Sequence, residues 1–203
     1  MISVRDKIFT EVRPLPIRFT VDDLDFIPDD EFKKYEIIGG KLFTVSRAVH
    51  INHQLISTRL LIEFGTYLKF NPIGIVVHEP GIVYSKENAV IPDLVFATHE
   101  TIENNVAVKG RFEGKFLASP DLIIEILSLS KKDIERDRVY KRNLYSEQKV
   151  REYWIVNGLH STIEVYRLNK MGLELDKVYN LGDEIKTDIL PDFVLQTVDS
   201  FRF

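Results

Sequence analysis

A chain of 203 residues, 44% apolar and 29% charged, suits a globular domain with a sizeable core and excludes a disordered or fibrous protein. It has no cysteine, which removes disulfide frameworks, thiolate metal sites and cysteine nucleophiles, and fits a reducing, cytoplasmic setting. The formal charge of −4 argues on average against a nucleic-acid partner, whose footprint is basic, so local charge has to decide. Arg5, Asp6 and Lys7 break the N-terminus where a signal-peptide core would lie. No apolar run nears the roughly 18 residues that span a bilayer, so no membrane partner is expected.

Residues 1–19, with Pro14 and Pro16, read as an irregular N-terminal arm, and 20–203 as a single domain. Thr20-Val21-Asp22-Asp23 resembles a capping box opening a short helical turn. Asp29, Asp30 and Glu31, after Pro28, suit the first turn of another helix, where carboxylates favour the dipole. Tyr35 to Phe43 reads as a hairpin, with Gly39-Gly40 supplying the positive φ angles of a tight turn. Residues 48–69 have helical periodicity. At about 100° per residue, Val49, Ile56, Leu60, Phe64, Tyr67 and Leu68 fall within roughly 60° of His53, placing that histidine on the apolar face. Such a histidine is either a satisfied core residue or part of a site.

After Asn71-Pro72, residues 73–84 suggest two strands around Glu79-Pro80-Gly81. Val90–Ala97 reads as one further strand, 98–118 as a helical turn and loop, and Asp121–Leu127 as a nearly continuous apolar strand. A second amphipathic helix spans about Lys131 to Glu147. Strands follow at Glu152–Val156, Thr162–Leu168 and Leu173–Tyr179. The order implies a mixed α/β (α+β) fold, a central sheet flanked by helices.

Three charges stand where apolar residues are expected. Alternation puts Asp93 on a face with Ile91, Val95 and Ala97, and Asp121 and Glu125 on a face with Ile123 and Leu127. Inward carboxylates are costly without a positive partner. On the helical wheel Lys141 lies near the middle of the face made by Ile134, Tyr140, Leu144 and Tyr145, with Asp137 one turn earlier, while Arg136, Val139 and Asn143 point elsewhere. Taken singly, Asp93 also suits a turn after Pro92, Asp137 an i,i+4 partner of Lys141, and Lys141 a snorkelling surface group. Taken together, they suit a site in which Asp93 and Glu125 bind Mg²⁺, or Mn²⁺ in its place, with Lys141 beside the substrate.

The segments YEIIGGKLF, HQLISTRL, VIPDLVFA, SPDLIIEILSLS, DRVYKRNLYSEQKVREYWIVN and IEVYRL resemble a family of restriction-endonuclease-like proteins in the PD-(D/E)XK nuclease superfamily. The resemblance runs from about residue 20 to the C-terminus. It implies a restriction-endonuclease-like fold and metal-dependent cleavage of DNA phosphodiesters. Pro92-Asp93 matches the PD element and Glu125 the second acidic position. Leu127 stands where the superfamily lysine is expected, and the resemblance implies that Lys141 takes that role. Glu36 and His53 fall in matching segments and are supporting candidates, with Asp137. Asp121 is another, although at about 3.3 Å per residue it lies some 13 Å along the strand from Glu125. Lys149 stands where the family often has Gly, and Leu129 where Pro is common.

The local charge fits a phosphate-bearing partner. From Lys131 to Arg151 eight basic residues face four acidic ones, including Arg138 and Arg142, and Lys109, Arg111 and Lys115 form a second basic cluster. These five are candidates for meeting DNA, and a homodimer would supply the two sites needed to cut both strands. Two other classes fit the same residues: a non-catalytic nucleic-acid-binding or assembly module of the same fold, and a metal-dependent hydrolase of small phosphorylated molecules. Neither a phosphate loop nor a Ser-centred elbow is present, which places the hydrolase last.

Overall fold

A computed structural model of the chain describes residues 17–28, 30–46, 50–128 and 130–202. Pro14, Pro16, Asp29, Val49 and Leu129, which entered the sequence reading, lie outside them. Asp23–Phe26 form a short 3-10 turn, and Asp23 Oδ2 accepts from Thr20 N at 2.6 Å, the return half of a capping box. The helix expected around Asp30 and Glu31 does not form. Asp30 Oδ1 instead accepts from Phe32 N at 2.9 Å, closing a turn of the kind short acidic side chains favour, and β1 starts immediately after it.

Strands β1 (Lys33–Ile38) and β2 (Lys41–Ser46) make the expected hairpin, with Gly39 and Gly40 at φ 58° and 76°. Helix α1 (Ile51–Phe70) follows, its N-terminus capped by His50, and it buries Ile56, Leu60, Phe64 and Leu68 at i,i+4 spacing. Phe64 packs 5.9 Å from the Trp154 ring and 4.9 Å from Phe193. Next come β3 (Gly74–His78) and β4 (Ile82–Ser85).

The single strand expected over Val90–Ala97 is two strands in different sheets. β5 (Asn88–Val90) belongs with β1, β2 and β4, whereas β6 (Leu94–Thr98) belongs to the central sheet. The reason lies in the three residues between them. Pro92 has no N–H to give a ladder, and the Ile91 N–H is taken at 2.7 Å by the Glu36 side chain, so the chain leaves one sheet and enters the other.

Helix α2 (His99–Asn105) is capped by Thr98 and leads through a loop to β7 (Leu122–Ile126). The second long helix runs from α3 (Lys131–Glu135) through a π-helical turn (Arg136–Lys141) into α4 (Arg142–Glu147). Lys149, in the turn that follows, sits at φ 60°, a conformation glycine adopts without strain. Strands β8 (Glu152–Asn157), β9 (Thr162–Leu168), β10 (Leu173–Tyr179), β11 (Glu184–Lys186) and β12 (Val194–Gln196) and helix α5 (Thr197–Phe201) complete the chain.

The central sheet has six strands in the order β10-β9-β8-β7-β6-β3. It is mixed: β7 and β8 are parallel, joined by the crossover through α3 and α4, and its other pairs are antiparallel. Helix α1 covers the face carrying Leu94, Phe96, Ile124, Trp154 and Val165. Helix α4 and the four-stranded sheet, ordered β2-β1-β5-β4, cover the face carrying Val95, Ala97, Ile123 and Ile155. No helix among the described residues is long and apolar enough to cross a membrane.

Candidate active site

Four carboxylates, two permanently charged cations and one imidazole converge where the chain passes from β5 to β6. The β6–β7 register pairs Leu94 with Ile124, and one step further it sets Asp93 opposite Glu125. Glu36 comes from β1, Glu125 from β7, and Arg136, Asp137 and Lys141 from the π-helical turn. Lys141 Nζ donates to Glu125 Oε1 at 2.9 Å, lies 2.8 Å from Glu36 Oε1 and is 3.8 Å from Asp137 Oδ1. The Tyr145 hydroxyl donates to the same Glu125 oxygen at 2.9 Å. Asp93 Oδ2 accepts the Ile126 N–H at 2.7 Å and lies 3.3 Å from His53 Nε2.

Arg136 departs from the helical-wheel expectation. It is buried inside this cluster, donating to Asp137 at 2.8 and 3.1 Å and to Asp133 at 2.7 Å, with Glu36 Oε2 3.4 Å away. At 100° per residue, positions five apart diverge by about 140°, so a regular helix would separate Arg136 from Lys141. The i→i+5 bonding of a π turn stacks them on one face.

The electrostatics follow from burial at close quarters. Burial, with Asp137, Asp93 and Glu36 nearby, pushes the Glu125 carboxyl well above its ordinary value, and Lys141 only partly opposes this. Burial likewise raises Asp137 to about 6 against the pull of Lys141 and Arg136. Asp93 goes the other way. Burial disfavours its charge, yet the His53 hydrogen bond and charge and the Ile126 N–H hold it below the usual range. Burial also works against charge on His53 and Lys141, and is outweighed by Asp93 for the first and by Glu125 and Glu36 for the second, so both are raised.

A cavity of about 630 Å³ opens beside this cluster. Lys34, Glu36, His53, Glu79 and Asp93 line it together with apolar side chains including Ile56, Ile91 and Leu127. Two buried polar atoms in this region, Glu36 Oε2 and His53 Nδ1, have no hydrogen-bond partner among the described residues.

A family model described as "Uma2: Putative restriction endonuclease" matches residues 21–198. The chain belongs to the Uma2 family. Among solved structures it is similar to a putative nuclease belonging to DUF820 from Anabaena variabilis, at 20% identity and a TM-score of 0.72, over 90% of this chain and 97% of that one. No curated protein matches. The fold is therefore that of the PD-(D/E)XK restriction-endonuclease superfamily, with its central mixed sheet between helices.

The sequence candidates are thus only partly gathered in this Uma2 chain. Asp93, Glu125, Lys141, Glu36, His53 and Asp137 meet. Asp121 does not: at the far end of β7 it accepts from Thr98 N at 2.9 Å and from Arg151 at 3.0 Å. The basic candidates lie outside the cavity lining. Arg111 is paired with Asp22 and Asp25, and Arg138 with Glu164. Arg142 stacks 5.6 Å from the Tyr166 ring, the Lys115 stem covers Gly81, and Lys109 is exposed. Sequence reading missed Arg136, the Tyr145 hydroxyl, and Lys34 and Glu79 in the cavity wall. Lys34 was findable, because it stands two residues before Glu36 on a strand and so shares its face.

Among the described residues, no group of three or more His, Cys, Asp or Glu is arranged to hold a metal ion. The donor chemistry nevertheless suits Mg²⁺, which binds through one or two carboxylates and keeps several waters. Asp93 Oδ1 and Glu125 Oε2 accept no hydrogen bond among the described residues, and four carboxylates face two fixed cations.

Proposed function

We propose that this chain is a Mg²⁺-dependent endonuclease that hydrolyses phosphodiester bonds in DNA. The observation that carries this reading is the meeting of Asp93, Glu125 and Lys141, from three separate segments, beside a cavity in a chain of the Uma2 family. Asp93 and Glu125, with the nearby Ile126 carbonyl, would hold the ion. When bound, it supplies Lewis-acid polarisation of the scissile phosphate and lowers the pKa of an attacking water.

The chain's own residues do the rest. Asp93 stays ionised at neutral pH, because His53 and the Ile126 N–H hold its carboxyl low. His53, 3.3 Å away, fixes the orientation of that carboxylate. Lys141 keeps its charge, shared between Glu125 and Glu36, and orients the water and meets the negative charge that develops on the phosphate. Glu36 fixes Lys141 from one side while its second oxygen remains able to accept a proton donor. A twofold dimer would bring a second such site to the other strand.

The test is direct. Purified protein with Mg²⁺ or Mn²⁺ nicks or cuts plasmid DNA, and Asp93→Ala or Glu125→Ala abolishes cutting. Robust cleavage by the double variant would sink the assignment. One observation favours a second reading, a binding module without catalysis: Lys141 already satisfies Glu125 and Glu36 internally. On that reading calorimetric titration with Mn²⁺ gives no heat of binding, while DNA binding persists.

A further inference from the structure

We infer that Lys34 is the residue that receives a substrate phosphate at the mouth of the cavity, and that Glu79 holds it in place until the phosphate arrives. This rests on the nucleic-acid reading above and deepens it. A polyanion entering this cavity meets the carboxylates of Glu36, Glu79 and Asp93 in its wall. Among the described residues Lys34 is the one lysine or arginine in that lining; Lys141 and Arg136 are buried and already paired with carboxylates. The five basic residues singled out from charge density do not line it, and two of them, Arg111 and Arg138, are matched to carboxylates of their own.

Position and chemistry agree on Lys34. It precedes Glu36 by two residues on β1, so the pleat sends both side chains to one face, the cavity side. Its side chain is mostly covered, at 18% exposure, and lines the cavity. There it is paired with Glu79, at 31% exposure. Glu79 is held in turn. Its backbone sits at φ 49°, uncommon for a residue other than glycine, and its N–H donates to the Asp93 carbonyl at 3.0 Å. The Lys34–Glu79 pair is thereby tied to the backbone of the proposed metal ligand. Both side chains keep some access to solvent, so an incoming phosphate can compete with Glu79 for Lys34. Displacement would also turn the Glu79 charge away from the incoming strand.

The experiment reads anisotropy of a fluorescein-labelled DNA duplex, in Ca²⁺ buffer to avoid cleavage, with KCl stepped from 50 to 200 mM. Each phosphate contact on duplex DNA contributes a slope of about 0.9 in log affinity against log salt. Lys34→Gln is expected to bind more weakly at 50 mM and to lose that one contact. Over the fourfold salt range it should therefore fall about 3.5-fold less than wild type. Lys34→Arg should restore the slope. Glu79→Gln, which frees Lys34, should bind more tightly at 50 mM than wild type. Should Lys34→Gln fail to fold, judged by circular dichroism, Lys34→Arg and Glu79→Gln carry the test. Wild-type binding with no tightening in Glu79→Gln, or with an unchanged slope in folded Lys34→Gln, overturns the assignment alone. Failure of the wild-type chain to bind DNA overturns the nucleic-acid reading and the assignment with it.

Discussion

Replacing Lys141 with methionine tests the centre of the site most severely. The substitution keeps the apolar stem and removes an ammonium that is 1% exposed and lies within 3 Å of Glu125 and Glu36. Two carboxylates then remain buried, with the Tyr145 hydroxyl on one and Arg136 at 3.4 Å from the other. Removing one partner of a buried ion pair costs about 3–5 kcal/mol, a large share of the roughly 5–15 kcal/mol that stabilises a typical domain. The loss should shrink as pH is lowered, because burial holds the Glu125 carboxyl well above its ordinary value and a protonated Glu125 no longer needs the cation. Adding Glu125→Gln to Lys141→Met should recover part of the loss at neutral pH, giving a favourable coupling in a double-mutant cycle. Trp154, the only tryptophan and fully buried, makes urea denaturation readable by fluorescence. A Lys141→Met chain within about 1 kcal/mol of wild type at pH 7, and indifferent to Glu125→Gln, would refute the ion-pair account, because only exposed pairs are worth that little.

Two further outcomes follow from the same structure. Asp137 is held near 6 when folded against 3.8 as its ordinary value, so the native chain keeps a proton that the unfolded chain releases. Its contribution to stability is full below about pH 4 and is lost as pH rises to about 6. Asp137→Asn should remove that part of the slope in urea midpoints measured across the window; an unaltered slope would refute it. Gly74→Ala places a Cβ 2.2 Å from the Ala97 carbonyl oxygen and 2.8 Å from Thr98 Cα, so β3 must move off β6. A loss of about 1–3 kcal/mol in urea denaturation is expected, and a neutral result would show that the strand edge yields freely.

Much of the architecture was legible because local signals agreed with tertiary ones. Gly39-Gly40 demanded a tight turn, and the i,i+4 spacing from Ile56 to Leu68 demanded a buried helix face. Alternation put Asp93 and Glu125 inward with Val95, Ala97, Ile123 and Leu127, where they are. Lys149, in a position where the family often has Gly, occupies the left-handed conformation that explains the preference. The failures have physical causes too. Val90–Ala97 carries one strand breaker, Pro92, whose missing N–H the sequence shows, but the second cause, the Glu36 side chain 55 positions earlier taking the Ile91 N–H, it does not. Arg136 was lost because a wheel assumes 100° at every step, and a π turn breaks that assumption. For the basic residues, charge density does not reveal pairing. Arg138 and Glu164 are 26 positions apart, and Arg111 and Asp22 are 89 apart.

The π-helical turn has a consequence for chain length. A π turn is what remains when one residue is added to an α-helix and the ends stay in register. Val139 is among its exposed members. In a chain lacking Val139, Arg136 and Lys141 would stand four apart, and an ordinary helix would hold them on one face with about 40° between them. Relatives with one residue fewer in this segment could thus keep the same pair of cations on the same carboxylates. The spacing between an acidic strand residue and a helical lysine is then a poor guide to membership, whereas the face the lysine occupies is a good one.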